Sequence, residues 1–151
     1  MTRVWVTEAV VASLTAAARE AAPEEIGGIA LGVERDGEPW ITGVVAFAFA
    51  KRSANSFVIP AGVTPAVVDE LRREDDRLGY LGDWHSHPLN AEASNRDRKT
   101  LRSVAARREL ETRPAVLLVV RAVGERWEID ALVDDGRTMR KATLGLTGPL
   151  P

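Results

Sequence analysis

The sequence contains no cysteine and only two histidines among its 151 residues. Without cysteine the chain can form neither a disulfide nor a thiolate metal site, and such a chain fits the reducing cytoplasm. No hydrophobic run approaches the length of a membrane-spanning helix, and the amino terminus shows no signal-peptide pattern, so we expect a cytoplasmic protein without membrane contact. The net charge of −2 argues against a dedicated nucleic-acid-binding protein.

The remaining composition is that of an ordinary globular protein. The hydrophobic fraction is 45% and the charged fraction is 28%, which is enough apolar material for a core. The length fits one folded unit. We therefore expect a single domain over residues 1–151. Its last stretch, 145–151, holds two prolines and two glycines and is expected to be an irregular tail.

Hydrophobic periodicity predicts strands and helices that alternate along the chain. The predicted strands lie at 4–6, 26–33, 40–50, 57–60, 80–87, 115–120 and 126–133, with a weak strand or helix at 138–144. The predicted helices begin at the N-cap signals Thr7, Thr64 and Ser94 and end near Ala22, Gly79 and Leu110. This order indicates an α/β or α+β fold, a mixed sheet flanked by helices on both sides.

Both histidines lie in the segment Gly82–Pro88, one residue apart. Side chains alternate between the two faces of an extended strand, so His85 and His87 are expected to point the same way and Ser86 the opposite way. Neutral imidazole is a common zinc ligand, and two imidazoles on one face begin a metal site. An isolated His-x-His pair is nevertheless more often a surface pair, or one core and one loop histidine, without a metal.

Asp97 offers a carboxylate after the loop that follows the histidines. It could supply a third ligand, and three protein ligands with an open fourth position are typical of catalytic zinc. The same residue has a purely structural interpretation, because Ser94-x-x-Asp97 is also a capping-box pattern at the start of a helix. On spacing alone, capping is the favoured role of Asp97.

The order of these residues resembles the JAMM motif of the JAB/MPN-domain zinc metalloproteases. The motif falls on Glu25, on His85-Ser86-His87-Pro88 and on Ser94-Asn95-Arg96-Asp97. Residues 25–32 and 55–60 also resemble the glutamate-bearing strand and the middle segment of the compact prokaryotic JAB branch, so the resemblance covers nearly the whole chain. One spacing differs, because nine residues separate the second histidine from the aspartate where the family usually has ten.

The resemblance implies a zinc-dependent peptidase or isopeptidase with the cytidine-deaminase-like fold of JAB/MPN domains. Glu25 is preferred to Glu24 because it stands three residues before Gly28, as in the family's pattern. The implied substrate is a ubiquitin-like or sulfur-carrier protein, cleaved after a C-terminal glycine pair as by a deubiquitinase. The family's functional roles fall on five residues: the metal ligands His85, His87 and Asp97, the general base Glu25 and the oxyanion donor Ser94.

Two other classes of function compete with this interpretation. A non-catalytic MPN scaffold typically lacks a ligand or the glutamate, and all five residues are present here. A nucleobase deaminase needs His-x-Glu and Cys-x-x-Cys elements, which this cysteine-free chain does not have. Beside the histidines, alternation predicts Trp84 in the core, whereas Asp83 is either a partner of an imidazole or a solvated carboxylate. The arginines of the third predicted helix are interpreted as a solvated face.

Overall fold

The computed structural model describes residues 2–47, 51–52, 57–58, 62–108 and 114–149. Its helices are α1 (Glu8–Ala21), α2 (Val63–Glu74) and α3 (Asn95–Arg108). Its strands are β1 (Arg3–Thr7), β2 (Gly27–Arg35), β3 (Glu38–Ala46), β4 (Lys51–Arg52), β5 (Phe57–Val58), β6 (Gly79–His87), β7 (Ala115–Val123), β8 (Arg126–Asp134) and β9 (Met139–Thr147). The ends predicted for the third and fourth strands and for the third helix, at 48–50, 59–60 and 109–110, lie outside the described residues.

Seven strands form one mixed sheet in the order β1-β3-β2-β6-β7-β8-β9, and the sheet closes into a barrel because β1 also pairs with β9. β6 lies between β2, with which it is antiparallel, and β7, with which it is parallel. The predicted mixed sheet of an α+β protein is thus confirmed. Closure of the sheet was not part of that prediction, because strand order is not visible in local periodicity.

The first helix forms where the sequence indicates. The Thr7 hydroxyl accepts a hydrogen bond of 3.1 Å from the Val10 amide, which satisfies one free donor of the first turn. Val10, Leu14 and Ala18 are its buried residues, and they belong to the same apolar cluster as Trp84 on β6. The apolar stripe of α1 therefore packs on the core side of the strand that carries both histidines.

The third helix packs on another part of the sheet. Its buried residues are Leu101, Val104 and Ala105, and they form one cluster with residues of β7 and β8. This packing places the first turn of α3 beside the end of β6. No described helix combines the length and the apolar character that a bilayer crossing requires.

The prediction for α2 is wrong at both ends. The helix begins at Val63 after Gly62, which adopts a left-handed conformation with φ of 82°, so Thr64 and Pro65 lie inside the first turn. It ends at Glu74 rather than near Gly79. The Asp75 carboxylate accepts a hydrogen bond of 3.1 Å from the Arg77 amide, and this local turn competes with continuation of the helix.

Part of the predicted irregular tail is a strand. β9 continues through Thr147 because it pairs in parallel with β1, from Arg3 opposite Thr143 to Thr7 opposite Thr147. The partner comes from the other end of the sequence, so the prolines and glycines nearby gave a misleading local signal. Residues 148–149 have no regular structure.

Candidate metal centre

The two histidines lie on one face of β6, as alternation predicts. Their ring centroids are 4.9 Å apart. The side chains between and before them point to the core, where Ser86 is fully buried and Trp84 is 1% exposed. The Trp84 indole donates a hydrogen bond of 3.1 Å to the Val45 carbonyl, so the core position predicted for this tryptophan is confirmed.

Glu25 reaches the same place from the residue pair just before β2. β2 runs antiparallel to β6, with Gly27 opposite His85, so Glu25 projects beside the histidine rings. Its Oε1 lies 3.9 Å from Nε2 of His87. Glu25, His85 and His87 each offer one ligand atom, and these atoms all lie within 4.8 Å of one another. The three residues could therefore hold a metal ion. The group contains Glu25 and not its neighbour Glu24.

Gly28 allows the strand that follows Glu25 to lie directly against β3. A Cβ atom at this position would lie 1.6 Å from the Val45 carbonyl oxygen, so only glycine fits. Gly28 is thus a point of close backbone approach between β2 and β3. It fixes β2 between β3 and β6, and with it the approach of Glu25 to the histidines.

Asp97 completes the cluster from the first turn of α3. Its Oδ1 lies 3.2 Å from Nε2 of His85, and its Oδ2 lies 3.5 Å from Nε2 of His87. Asp97 is also a capping residue, since Oδ2 accepts a hydrogen bond of 2.7 Å from the Ser94 amide. The Ser94 hydroxyl in turn accepts one of 3.1 Å from the Asp97 amide. The capping interpretation of Ser94-x-x-Asp97 is therefore confirmed, and the nine-residue spacing does not keep the carboxylate away from the histidines.

The charges of the cluster support one another. Burial raises the pKa of the Asp97 carboxyl, but contacts with His85 and His87 and the Ser94 amide outweigh burial, so this pKa lies far below its usual range. The hydrogen bond with Asp97 raises the pKa of His87, against the opposing effect of burial. Burial also raises the pKa of Glu25, which lies 8% exposed and keeps this shift although both histidines counteract it.

A backbone carbonyl orients His87. The Ala91 oxygen lies 2.6 Å from Nδ1 of His87, and because a carbonyl can only accept, Nδ1 is the donor in this contact. The other ring nitrogen, Nε2, faces Asp97 and Glu25. Sequence reasoning missed this contact and considered Asp83 instead. The Asp83 carboxylate accepts a hydrogen bond from the Tyr80 hydroxyl. No motif identifies the carbonyl, since its position depends on the path of the loop after Pro88.

The donor atoms fit a metal ion of the zinc type. Nε2 of His85 is buried and, among the described residues, makes no hydrogen bond, although Oδ1 of Asp97 lies 3.2 Å away. The imidazole nitrogens of both histidines and carboxylate oxygens of Asp97 and Glu25 lie close together here. Such sets of donor atoms are typical of zinc sites with an open position. A bound cation would satisfy the otherwise unpaired nitrogen.

Comparison with known proteins agrees with this geometry. Residues 7–130 match the family model of the prokaryotic homologs of the JAB domain. The chain belongs to this JAB family. The resemblance found in the sequence is thereby confirmed at the level of the family. The match covers most of this chain.

The JAB fold is also found among solved structures. A protein from Desulfitobacterium hafniense, whose structure was determined in solution, superposes with a TM-score of 0.72 at 18% sequence identity. The alignment covers 97% of this chain and 94% of that one, so the two share the fold over nearly their whole length. A search of curated proteins finds none that matches this sequence.

Proposed function

We propose that this JAB-family chain is a zinc metallopeptidase that hydrolyses a peptide or isopeptide bond. One observation carries the proposal: a buried glutamate stands beside two imidazoles that share a second carboxylate. Imidazole and carboxylate groups that converge in this way are typical of metal-assisted hydrolysis.

In the proposed site the ion is held by His85, His87 and Asp97. These residues combine the Nε2 atoms of the two histidines with the carboxylate that lies nearest to both of them. When bound, a zinc ion supplies a Lewis acid that makes water more acidic and polarises a carbonyl group. Glu25 lies slightly farther from His87 than Asp97 does, at 3.9 Å against 3.5 Å, and is left for proton transfer.

Glu25 moves the proton in both halves of the reaction. Its carboxylate accepts a proton from water as the water oxygen forms a bond to the carbonyl carbon. The same proton then passes to the nitrogen as the carbon–nitrogen bond breaks, so the products are an acid and a free amine. Burial raises the pKa of the Glu25 carboxyl toward the working pH, and a group whose pKa lies near that pH both accepts and donates a proton efficiently.

Ser94 stabilises the negative charge that develops on the carbonyl oxygen. Its Oγ accepts a hydrogen bond from the Asp97 amide, which leaves the hydroxyl proton available as a donor. A donor held in place before the reaction is worth more than one recruited from solvent, because it needs no reorganisation.

For the substrate we propose a ubiquitin-like or sulfur-carrier protein, cleaved after its C-terminal glycine pair in the cytoplasm. This part of the proposal is supported by the JAB family alone. Neither a nucleic acid nor a membrane surface is part of the proposed reaction. The chemistry at the site requires only an extended carbonyl segment that reaches the cluster.

The first test is the zinc content of the purified protein beside two isosteric variants. We expect close to one zinc per chain in the wild type, a clear loss in Asp97→Asn, and retention in Glu25→Gln. The physical reason is that an amide replaces a charged ligand in the first variant but only a proton acceptor in the second. Hydrolysis of a fluorogenic peptide amide that ends in Gly-Gly should be lost in both.

The outcomes separate the competing assignments. Retention of zinc in Asp97→Asn with loss in Glu25→Gln would exchange the roles of the two carboxylates. A wild type that takes up no zinc when supplied with it would overturn the peptidase and favour the scaffold. Zinc binding without hydrolysis of the peptide or of ubiquitin-like fusions would retain the metal site and reject the reaction.

A further inference from the structure

The residue between the two histidines makes contacts that the proposed reaction does not use. Ser86 is fully buried on the core side of β6. Its Oγ accepts a hydrogen bond of 2.9 Å from the Ile26 amide. Its own amide donates one of 2.7 Å to the Ile26 carbonyl. A single residue of β6 thus binds both polar groups of the Ile26 residue.

These bonds hold the segment just before a strand. β2 begins at Gly27, so Ile26 and Glu25 precede the regular β2 strand. The Ile26 side chain is 5% exposed and belongs to the core cluster, whereas the Glu25 carboxylate lies on the histidine side. Consecutive residues of an extended segment point in opposite directions, so a bond on the core side sets the position of the carboxylate on the other side.

The hydroxyl is the part of this contact that side-chain substitution can remove. A buried amide without an acceptor is costly, and if Ser86 lost its oxygen the Ile26 amide would have to find another partner. The segment can do so only by moving. The Glu25 carboxylate would move with it, away from its place beside His87.

We propose that Ser86 is a positioning residue of the metal centre, whose buried hydroxyl fixes the Ile26 amide and thereby holds Glu25 beside His87. The kinetic part of this proposal rests on the proposed function, while the positional part does not. Ser86 itself touches neither the substrate nor the reacting atoms. It acts from the opposite face of the strand, through one peptide unit.

The experiment compares three substitutions of Ser86 with one control. Ser86→Ala removes the acceptor and Ser86→Thr retains it. Ser86→Cys leaves a weak acceptor in place and serves as a second variant should the alanine variant fold poorly. Val120→Ala is the control, because Val120 is a fully buried neighbour of Ser86 on β7 and its truncation leaves a cavity without touching the Ile26 amide.

Two measurements do not depend on activity. Hydrogen exchange of the Ile26 amide in Ser86→Ala should accelerate at least about tenfold more than exchange of the β7 amides, and the Glu25 carboxyl carbon resonance should shift. Ser86→Thr should restore both. Val120→Ala should lower the melting temperature and leave the Ile26 exchange ratio and the Glu25 resonance as in the wild type.

The kinetic measurement uses the zinc-loaded protein and the Gly-Gly peptide amide. In Ser86→Ala we expect kcat to fall roughly 10- to 100-fold, the size typical of a small misplacement of a catalytic group, with KM and zinc content unchanged. A role in stability alone would lower kcat equally in Val120→Ala.

Each outcome decides the proposal. Uniform exchange across Ile26 and β7 in Ser86→Ala, or a wild-type kcat in that variant, would overturn it. If the wild type itself hydrolyses nothing, the proposed function fails, and the exchange ratio with the Glu25 resonance then decides the positional part alone: local changes support it and their absence overturns it.

Discussion

At the scale of single residues, the Ser94–Asp97 pair shows how one arrangement can serve folding and chemistry together. The two residues exchange hydrogen bonds that begin α3, and the same carboxylate lies against both imidazoles. The helix therefore starts where the site needs a carboxylate. The two roles are separable by substitution, because glycine is tolerated at an N-cap much better than alanine is.

Replacement of Ser94 should reduce hydrolysis more than it reduces stability. Ser94→Ala is expected to cost about 1 kcal/mol of unfolding free energy through the lost cap, and Ser94→Gly only a few tenths. Both remove the hydroxyl donor, so both should lower kcat by roughly 100-fold, the size typical of one oxyanion donor. Urea unfolding and kcat on the Gly-Gly peptide measure the two effects. A kcat that follows stability, with Ser94→Gly nearly fully active, would reject the donor role.

At the scale of the elements, the sheet around the site depends on how closely β2 and β3 approach. The Val45 carbonyl lies where a Cβ of Gly28 would be, and the same carbonyl accepts the Trp84 indole. β2, the strand that follows Glu25, is thus fixed between β3 and β6 at the position of Val45. A side chain at Gly28 would separate the strands.

Gly28→Ala should therefore destabilise the fold strongly. We expect a loss of at least about 3 kcal/mol, at the upper end of the usual cost of overpacking, because the backbone of β3 must move. Gly43→Ala on β3 is the matched control, since a Cβ there meets no atom within 4 Å and φ is not positive. Chemical unfolding of both variants measures the difference. Equal stabilities would show that the sheet accommodates the methyl group.

The turn between β8 and β9 makes a pH-dependent contribution to stability. Hydrogen bonds from the Thr138 and Arg137 amides lower the pKa of Asp135. A carboxyl whose pKa is lower in the folded state stabilises the protein above its unfolded-state pKa, and this stabilisation disappears as pH falls from about 4 toward the folded-state value. Asp135→Asn should thus be less stable than the wild type at pH 7, with a smaller difference near pH 3. An equal difference at both pH values would contradict this assignment.

The sequence predicted those features that depend on neighbouring residues. Alternation was enough to place both histidines on one face and Trp84 in the core, and the capping pattern found the start of α3. Glu25 was found only through the family resemblance, and its role, like those of Ser94 and the ligands, stays a prediction. The contact between Ser86 and Ile26 joins residues 60 positions apart and leaves no periodic signal. The Ala91 carbonyl was missed for a similar reason, because backbone atoms carry no sequence signature.

At the scale of the whole molecule, the barrel and the metal centre are parts of one structure. β6 carries the histidines and pairs on both sides, so two of the three residues that would hold the ion belong to a strand inside the sheet. An ion that binds only the folded chain must then stabilise the whole barrel.

Zinc should raise the melting temperature of the wild type. At a free concentration about 100 times the dissociation constant, binding adds about 2.7 kcal/mol, which corresponds to roughly 5–10 °C for a chain of this size. EDTA should reverse the shift, and His85→Ala should show none. Scanning calorimetry with and without zinc measures the effect. A wild type that retains stoichiometric zinc without any shift would indicate equal binding to the unfolded chain.

The proposed ligands also differ in how their backbone is anchored to the rest of the fold. Two come from a strand that is bonded to neighbours along both edges, while Asp97 comes from the first turn of a helix that rests on the sheet mainly through Leu101, Val104 and Ala105. Loading and release of the ion are then expected to be sequential. The histidines would bind the ion first and release it last, and Asp97 would leave together with α3, so the docking of one helix would set how long the ion stays bound.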